Sequence, residues 1–245
     1  ILTDGNSHNL ALSLQLSRSS IDNPIYTRRG SQFTLGLKIT PPYSIIKGTT
    51  DAEFAQMTTS EKYNLLEYHK WKFSGKVFTP LTQDGKLVLM TRAEFGYLGH
   101  YNKNAKSPFE SFYMGGDGMS SYSSYSTEYI SMRGYQSGSL TPYDPAVGRN
   151  MGYVYNKFTM ELRYPISLEQ NATIWALAFV EAGNCFADIK DYNPFNLKRS
   201  AGVGVRLFLP MFGLMGIDWG WGFDPINGST SSGGSQFHFV LGQEL

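Results

Sequence analysis

Cysteine is almost absent from this chain, in which Cys185 is the single thiol among 245 residues. One cysteine excludes an internal disulfide framework and a zinc cluster built on cysteines. Long apolar runs are missing as well, so the sequence predicts no transmembrane helix, which needs about 18 or more such residues. The chain begins at Ile1, without an initiator methionine or a signal peptide. We therefore expect it to be a processed or trimmed piece.

An excess of charge of one sign is also missing, because the formal net charge is only +1. Domains that bind nucleic acid carry strongly basic surfaces, so we expect no nucleic-acid partner. The four histidines lack the spacing of metal ligands, and we predict neither a metal nor a cofactor. No nucleophile or nucleotide-binding motif stands out, which indicates that the protein is not an enzyme.

Aromatic residues, by contrast, are abundant: 16 Tyr and 16 Phe contribute to an aromatic content of 15%. Such a composition suits the aromatic girdles of a membrane barrel and also an aromatic-rich soluble sandwich. The last ten residues alternate with period two, as a strand does. The apolar face of this strand carries Phe237, Phe239, Leu241 and Leu245. The other face carries His238, Val240, Gly242 and Glu244.

The same alternation predicts about nine strands. They cover residues 9–18, 31–40, 69–79, 86–98, 153–165, 172–182, 199–209, 213–223 and 236–245. A one-sided soluble sheet would also alternate. However, the polar faces carry Lys, Arg and Glu in mid-strand, and the strands run to about ten residues, the length that crosses a bilayer obliquely. We therefore predict an all-β fold, a transmembrane antiparallel β-barrel. Nine strands would leave two unpaired edges, so we expect no closed barrel.

The predicted connections alternate in length, with short turns at 79–86, 165–171 and 210–213. Long loops cover 41–68, 99–152 and 183–198, and a moderate one covers 224–235. Short turns on one side and long loops on the other are typical of outer-membrane barrels. Within the first long loop, residues 60–69 predict a short helix that begins at Ser60.

Five motifs follow one another along the second half of the chain. The first is MRGY (132–135), preceded by FYMGG (112–116) in the 99–152 loop, and then come MELRYPI (160–166), FVEAG (179–183), the hairpin 202–223 and the terminal strand. In this order they resemble the C-terminal barrel of the BamA-TamA family, whose loop signature is a hydrophobic residue followed by Arg-Gly-Phe/Tyr. The resemblance covers almost the whole chain. It departs at Glu181, where the family usually has Asp, and at Leu245, where it usually has Phe or Trp.

The resemblance implies a sixteen-stranded barrel preceded by POTRA domains. Residues 1–245 would form the C-terminal part of that barrel, without the N-terminal strands and POTRA domains. The implied location is the bacterial outer membrane, and the implied function is insertion and folding of other β-barrel proteins. The implied partners are outer-membrane lipid, unfolded β-barrel clients and accessory assembly lipoproteins. The alternatives are a two-partner-secretion transporter and a passive porin or adhesin.

The MRGY motif is the candidate site. Gly134 permits a tight bend, and Arg133 offers a planar fork of donors that suits carboxylates. In the family the loop folds back into the barrel, and its arginine docks on the strands. By resemblance, Arg133, followed by Gly134 and Tyr135, would meet Glu161 or Glu181. The alternative is an exposed arginine on a flexible loop, which contributes little.

Other residues complete the predicted site. Glu161 shares a strand face with Arg163, and Asp218 faces the interior in the predicted strand phase. The terminal strand, with Phe237, Phe239, Leu241, Gly242 and Leu245, would supply one side of a seam that templates client strands. Glu161 and Glu181 could also mimic the carboxylate pair of a glycosidase, which we regard as a minor alternative.

Overall fold

The computed structural model describes residues 6–102, 104, 106–119, 127–145 and 148–242. In chain order, the strands of the described residues are β1 (Leu12–Ser19), β2 (Gly30–Ile39), β3 (His69–Pro80), β4 (Val88–Gly99), β5 (Phe112–Met114), β6 (Glu128–Ile130), β7 (Tyr143–Asp144), β8 (Arg149–Asn150), β9 (Val154–Glu169), β10 (Ala172–Phe186), β11 (Lys198–Leu209), β12 (Gly213–Pro225) and β13 (Ser232–Leu241). The helices are α1 (Tyr43–Ile46), α2 (Asp51–Gln56), α3 (Thr59–Lys62) and a 3₁₀ turn, Ile189–Asp191. The predicted all-β class is confirmed.

The long strands form one antiparallel sheet in the order β1-β2-β3-β4-β9-β10-β11-β12-β13. Neighbours in the sheet are successive long strands of the chain, so the topology is a simple meander. Among the described residues, β1 pairs only with β2, and β13 pairs only with β12. The sheet therefore ends in two open edges, as the predicted strand number requires.

The two faces of the sheet are inverted relative to those of a soluble protein. Along β9, Lys157, Thr159, Glu161 and Arg163 are buried. The residues between them, Phe158, Met160, Leu162 and Tyr164, are exposed. The apolar positions of the opposite phase are exposed on the other long strands as well, among them Leu12, Leu14, Phe33, Leu35, Val205, Ile217 and Trp219. Charged residues inside and apolar residues outside are expected where lipid takes the place of water.

Two apolar clusters fill opposite ends of the inner face. One contains Tyr26, Phe78, Val88, Met90, Trp175, Leu177 and Phe179. Because β10 contributes its inward side chains to this cluster, its sequence is apolar on both faces. The other cluster joins the far end of the sheet to the loop between β4 and β9, through residues such as Leu98, Phe112, Met132, Tyr135 and Tyr155.

The turn predicted at 165–171 is wrong in extent. β9 continues through Pro165 to Glu169, and β10 begins at Ala172, so only residues 170–171 connect them. Proline cannot donate to a sheet ladder and usually marks an edge or a bulge. Here the ladder accommodates it by a register shift between Ile174 and Trp175, opposite Pro165.

The predicted helix over 60–69 is also wrong in extent. Helix α3 covers only Thr59–Lys62, where Thr58 and Glu61 form a capping box. After it the chain extends, and Leu66 is buried in the loop cluster. No helix in the described part of the chain is long and apolar enough to cross a membrane.

The outward phase of β9 gives a test of the lipid-facing surface. Leu162→Arg lies near the middle of the strand and should lower the free energy of unfolding by roughly 2–4 kcal/mol if this point is near the bilayer midplane. Ile166→Arg, at an exposed position just before the register shift and nearer the turn, should cost only about 0–1 kcal/mol. Equilibrium urea unfolding of the natural-length protein in lipid vesicles measures both. Equal costs at the two positions would contradict a membrane-spanning β9.

Candidate functional site

The loop between β4 and β9 packs against the inner face of the sheet. Its two motif segments are hydrogen-bonded to each other: the Gly116 N–H donates to the Tyr135 carbonyl and the Met132 N–H to the Gly116 carbonyl, both over 3.0 Å. Gly115 and Gly116 have φ values of +125° and +79°, which other residues rarely adopt. FYMGG and MRGY are therefore two halves of one folded unit.

The guanidinium of Arg133 lies fully buried at the centre of the site. Its Nη2 donates to Glu161 Oε1 over 2.7 Å and to Glu181 Oε1 over 2.8 Å, and its Nη1 lies 3.2 Å from Asp218 Oδ2. The backbone N–H of Arg133 also donates to Glu181 Oε2 over 2.8 Å. The guanidinium carbon stands 3.6 Å from the ring centroid of Phe179, a cation–π contact. Arg133 thus joins strands β9, β10 and β12.

Each of these carboxylates also has a cation of the sheet itself as partner. The pairs are Arg163 with Glu161 (Nη2 to Oε2, 2.6 Å), Arg206 with Asp218 (Nη1 to Oδ1, 2.6 Å) and Lys157 with Glu181 (Nζ to Oε1, 3.1 Å). Buried charges are tolerated when they are paired and hydrogen-bonded. Because these pairs lie within the sheet, the carboxylates keep a partner without the loop. Arg133 is therefore an additional cation. It fastens the loop to three carboxylates whose charges are already neutralised by cations of the sheet.

Gly134 brings the loop backbone against β12. Its φ is +82°, and a Cβ atom there would lie 2.7 Å from Gly222 N and 2.8 Å from Trp221 C. The approach is equally tight from the other side, since a Cβ at Gly220 would lie 2.8 Å from Gly134 N. A glycine is therefore required at position 134 both for its backbone conformation and for the close approach.

His238 links the motif to the last strand. The Gly134 N–H donates to His238 Nε2 over 2.8 Å. An acceptor Nε2 requires a neutral imidazole that carries its proton on Nδ1. His238 is buried and lies directly across from Asp218 in the β12–β13 ladder. The loop is thus hydrogen-bonded to the strand that forms one open edge of the sheet.

Tyr135 fixes the far end of the motif. Its hydroxyl donates to the Arg199 carbonyl over 2.8 Å and accepts from the Asp224 N–H over 3.2 Å. Burial raises the pKa of Tyr135 to about 12. The phenol therefore stays protonated at neutral pH, and these contacts to β11 and β12 persist.

The structure places most of the predicted site residues together. Arg133 meets Glu161 and Glu181, rather than only one of them, and also Asp218. Arg163 contacts Glu161 and serves as its partner within the sheet. Since Glu161 and Glu181 are both bound by cations, neither is arranged as a free acid or base of a glycosidase pair.

The terminal strand is shifted relative to the predicted range. β13 covers Ser232–Leu241, with Phe237, Phe239 and Leu241 exposed on the outer face. Gly242 follows the strand with a φ of +71° and donates its N–H to the Leu214 carbonyl over 2.7 Å. Leu245 lies outside the described residues.

Several residues of the site carried too little signal to be found in the sequence. His238, Arg206 and Lys157 lie on the inward phase of their strands, so alternation places them inside but does not name their partners. Phe179 falls in a strand that is apolar on both faces, so its cation–π contact with Arg133 leaves no periodic trace. The hydrogen bond of His238 to Gly134 joins residues 104 positions apart.

The bond to the last strand can be tested by removing its acceptor. His238→Ala leaves the buried Gly134 N–H without a partner. This should lower the free energy that protects this N–H from hydrogen exchange by about 1–3 kcal/mol. His238→Gln, which restores an acceptor oxygen, should recover part of it. Hydrogen exchange of the peptide that contains Gly134 is the measurement, in the natural-length protein.

Gln236→Ala is the matched control for this test. Gln236 lies two residues earlier on the same strand and bonds to the Gly233 carbonyl. If Gln236→Ala and His238→Ala raise the exchange rate equally, the effect comes from fraying of β13 and not from the bond to the loop.

A known protein family and a solved structure both match this chain. The family model described as the Omp85 superfamily domain matches residues 2–245. Among solved structures, the chain is similar to the crystal structure of BamA from Haemophilus ducreyi lacking POTRA domains 1–3, with a TM-score of 0.62 and 18% sequence identity. The match covers 94% of this chain and 41% of that chain, so this chain spans less than half the length of that structure.

At this identity the structural likeness shows the fold alone, and it is that of a barrel left open in this chain. A search of curated proteins found no significant match. The family model accounts for nearly every residue, and its span includes the docked loop and all nine long strands. The chain therefore belongs to the Omp85 superfamily.

Proposed function

We propose that this protein inserts and folds β-barrel proteins in the bacterial outer membrane, as the central barrel subunit of an assembly machine. Its partners would be outer-membrane lipid, unfolded β-barrel clients and accessory assembly lipoproteins. Membership of the Omp85 superfamily and the apolar outer face of the sheet support this proposal. The observation that carries it is the docked MRGY motif. It fastens a long loop to β9, β10 and β12 and to the edge strand β13.

No covalent chemistry is needed for this function. An open sheet edge presents unpaired N–H and C=O groups, to which an extended client segment can add as a further strand. For such templating, the edge strand has to be held in a fixed position. The bond from Gly134 to His238 holds β13 directly, and the Arg133 network holds the strands behind it.

The loop contacts favour an assembly factor over a passive pore. In the described residues, the loop packs with the inner face to form a buried apolar cluster that includes Phe112, Met114 and Met132. A passive porin requires an open aqueous passage and has no use for Arg133. The secretion pore shares the loop motif, so we keep it as the alternative function.

Arg133→Ala tests the role of the docked loop. Because each carboxylate keeps its cation within the sheet, the loss should release the loop and leave the barrel folded. The cost should stay below the about 3–5 kcal/mol expected when a buried charge loses its only partner. Client folding by the natural-length protein in proteoliposomes, read from gel mobility before and after heating, should fall sharply.

Arg149→Ala is the matched control in the same loop. Arg149 donates within the loop to Thr127 Oγ1 over 3.2 Å and to the Pro108 carbonyl over 3.4 Å. Its loss should leave client folding close to that of the wild type. Normal client folding by Arg133→Ala, with the loop shown to be released by its exposure to protease, would overturn the proposal.

Variants of the three carboxylates around Arg133 identify which of its contacts client folding requires. Glu161→Gln, Glu181→Gln and Asp218→Asn each remove one charge partner of Arg133 and one charge partner of a cation in the sheet. Glu181→Gln should have the largest effect on client folding, since Glu181 receives both the side chain and the backbone N–H of Arg133. Steady ion conductance without client folding in the wild type would favour a pore.

A further inference from the structure

The inner face of β2 and β3 is basic, in contrast to the carboxylates that receive Arg133. Lys38 lies on β2, and Lys70 and Lys72 lie on β3, all with their side chains on the inner face of the sheet. Lys70 is buried. A buried ammonium needs an anionic partner, so these lysines require carboxylates from another part of the chain.

The loop between β4 and β9 supplies those partners. Glu110 Oε1 lies 2.6 Å from Lys38 Nζ, and Glu110 Oε2 lies 3.3 Å from Lys70 Nζ. Glu128 Oε2 lies 2.8 Å from Lys70 Nζ, and its other oxygen pairs with Lys72. These contacts belong to the same loop that carries Arg133, but they face different strands.

The backbone at Glu110 shows that this contact is maintained against strain. Its φ is +65°, and among the described residues it is the one non-glycine residue with a positive φ. Glycine would adopt this conformation at no steric cost, whereas another residue there is strained. A side chain retained at such a position indicates that its contacts outweigh the strain.

The two docking contacts differ in their access to water. Arg133 and Glu181 are fully buried. In the acidic contact the outer cations are partly exposed, Lys72 by 46% and Lys38 by 33%, whereas Lys70 between them is buried. A cavity of about 840 Å³ lies beside this contact, and its lining includes Glu110 and Val240 of the last strand. Ion pairs reached by water are weakened by salt, and buried ones are much less affected.

We propose that Glu110 and Glu128 form a second, releasable anchor of the loop. The Arg133 anchor holds the loop permanently to β9, β10 and β12. The acidic anchor holds it to β2 and β3 and opens when these ion pairs are screened or displaced, which frees the loop beside the cavity that reaches β13. This inference concerns how the loop is fastened and does not depend on the proposed function.

Hydrogen exchange of the natural-length protein tests the proposal without reference to client folding. The double variant Glu110→Gln/Glu128→Gln should raise exchange in 107–111 and 127–131 by about tenfold, as expected for the loss of charge-assisted contacts. Exchange in 132–135 should stay at the wild-type rate, which also shows that the barrel is folded. Asp117→Asn is the matched control, because Asp117 lines the same cavity but receives the Met119 N–H.

Salt provides a second test that needs no variant. Raising the ionic strength of the wild type to about 1 M, where the screening length is about 3 Å, should increase exchange in 107–111 and 127–131 but not in 132–135. In the double variant this salt effect should disappear.

Lys72→Gln should produce part of the same increase, in 127–131, and its half-exposed position makes it compatible with folding. The proposal is overturned if the double variant exchanges like the wild type, if Asp117→Asn exchanges like the double variant, or if salt acts equally on both segments.

Discussion

The buried guanidinium of Arg133 determines how the loop, the sheet and the open edge fit together. A charged group without water needs several partners at fixed angles, and the planar fork of arginine finds them only where carboxylates converge. Glu161, Glu181 and Asp218 converge on it because they lie on the inward phase of neighbouring strands. Cations of the sheet itself also pair with these carboxylates, so each carboxylate keeps a partner without the loop. Docking therefore fixes the position of the loop on the sheet.

The position of Arg133 in turn restricts its neighbours. When the guanidinium reaches the carboxylates, the backbone of the next residue lies against β12, where Gly134 meets Gly220 and Gly222 across a gap too small for a Cβ. The same approach brings the Gly134 N–H to His238. Thus Arg-Gly-aromatic is a physical unit: the arginine provides the charge, the glycine the approach and the tyrosine hydroxyl the final bond to β11 and β12.

The sequence predicts the strands well because their signal is local and periodic. All nine long strands fall where alternation places them, and Asp218 and Leu162 face the sides that the phase assigns. The failures occur where periodicity ends. Pro165 suggests a strand end, but the ladder continues through a register shift. The site depends on contacts such as Arg133 to Glu181, 48 residues apart, which no spacing rule reveals. The resemblance of the motifs supplied that pair, whereas His238, Lys157 and the acidic residues of the loop had no comparable signal.

Strand β13 is held by more than its ladder to β12, and the loop is the reason. β13 buries His238 and Val240, and His238 is bound to the docked motif. Local opening starts where backbone hydrogen bonds are exposed and few apolar contacts are lost. Opening of β13 would therefore also have to break the bond between the Gly134 N–H and His238. The position of this strand thus depends on a single hydrogen bond to the loop and on the arginine beside it, which fastens that loop to β9, β10 and β12.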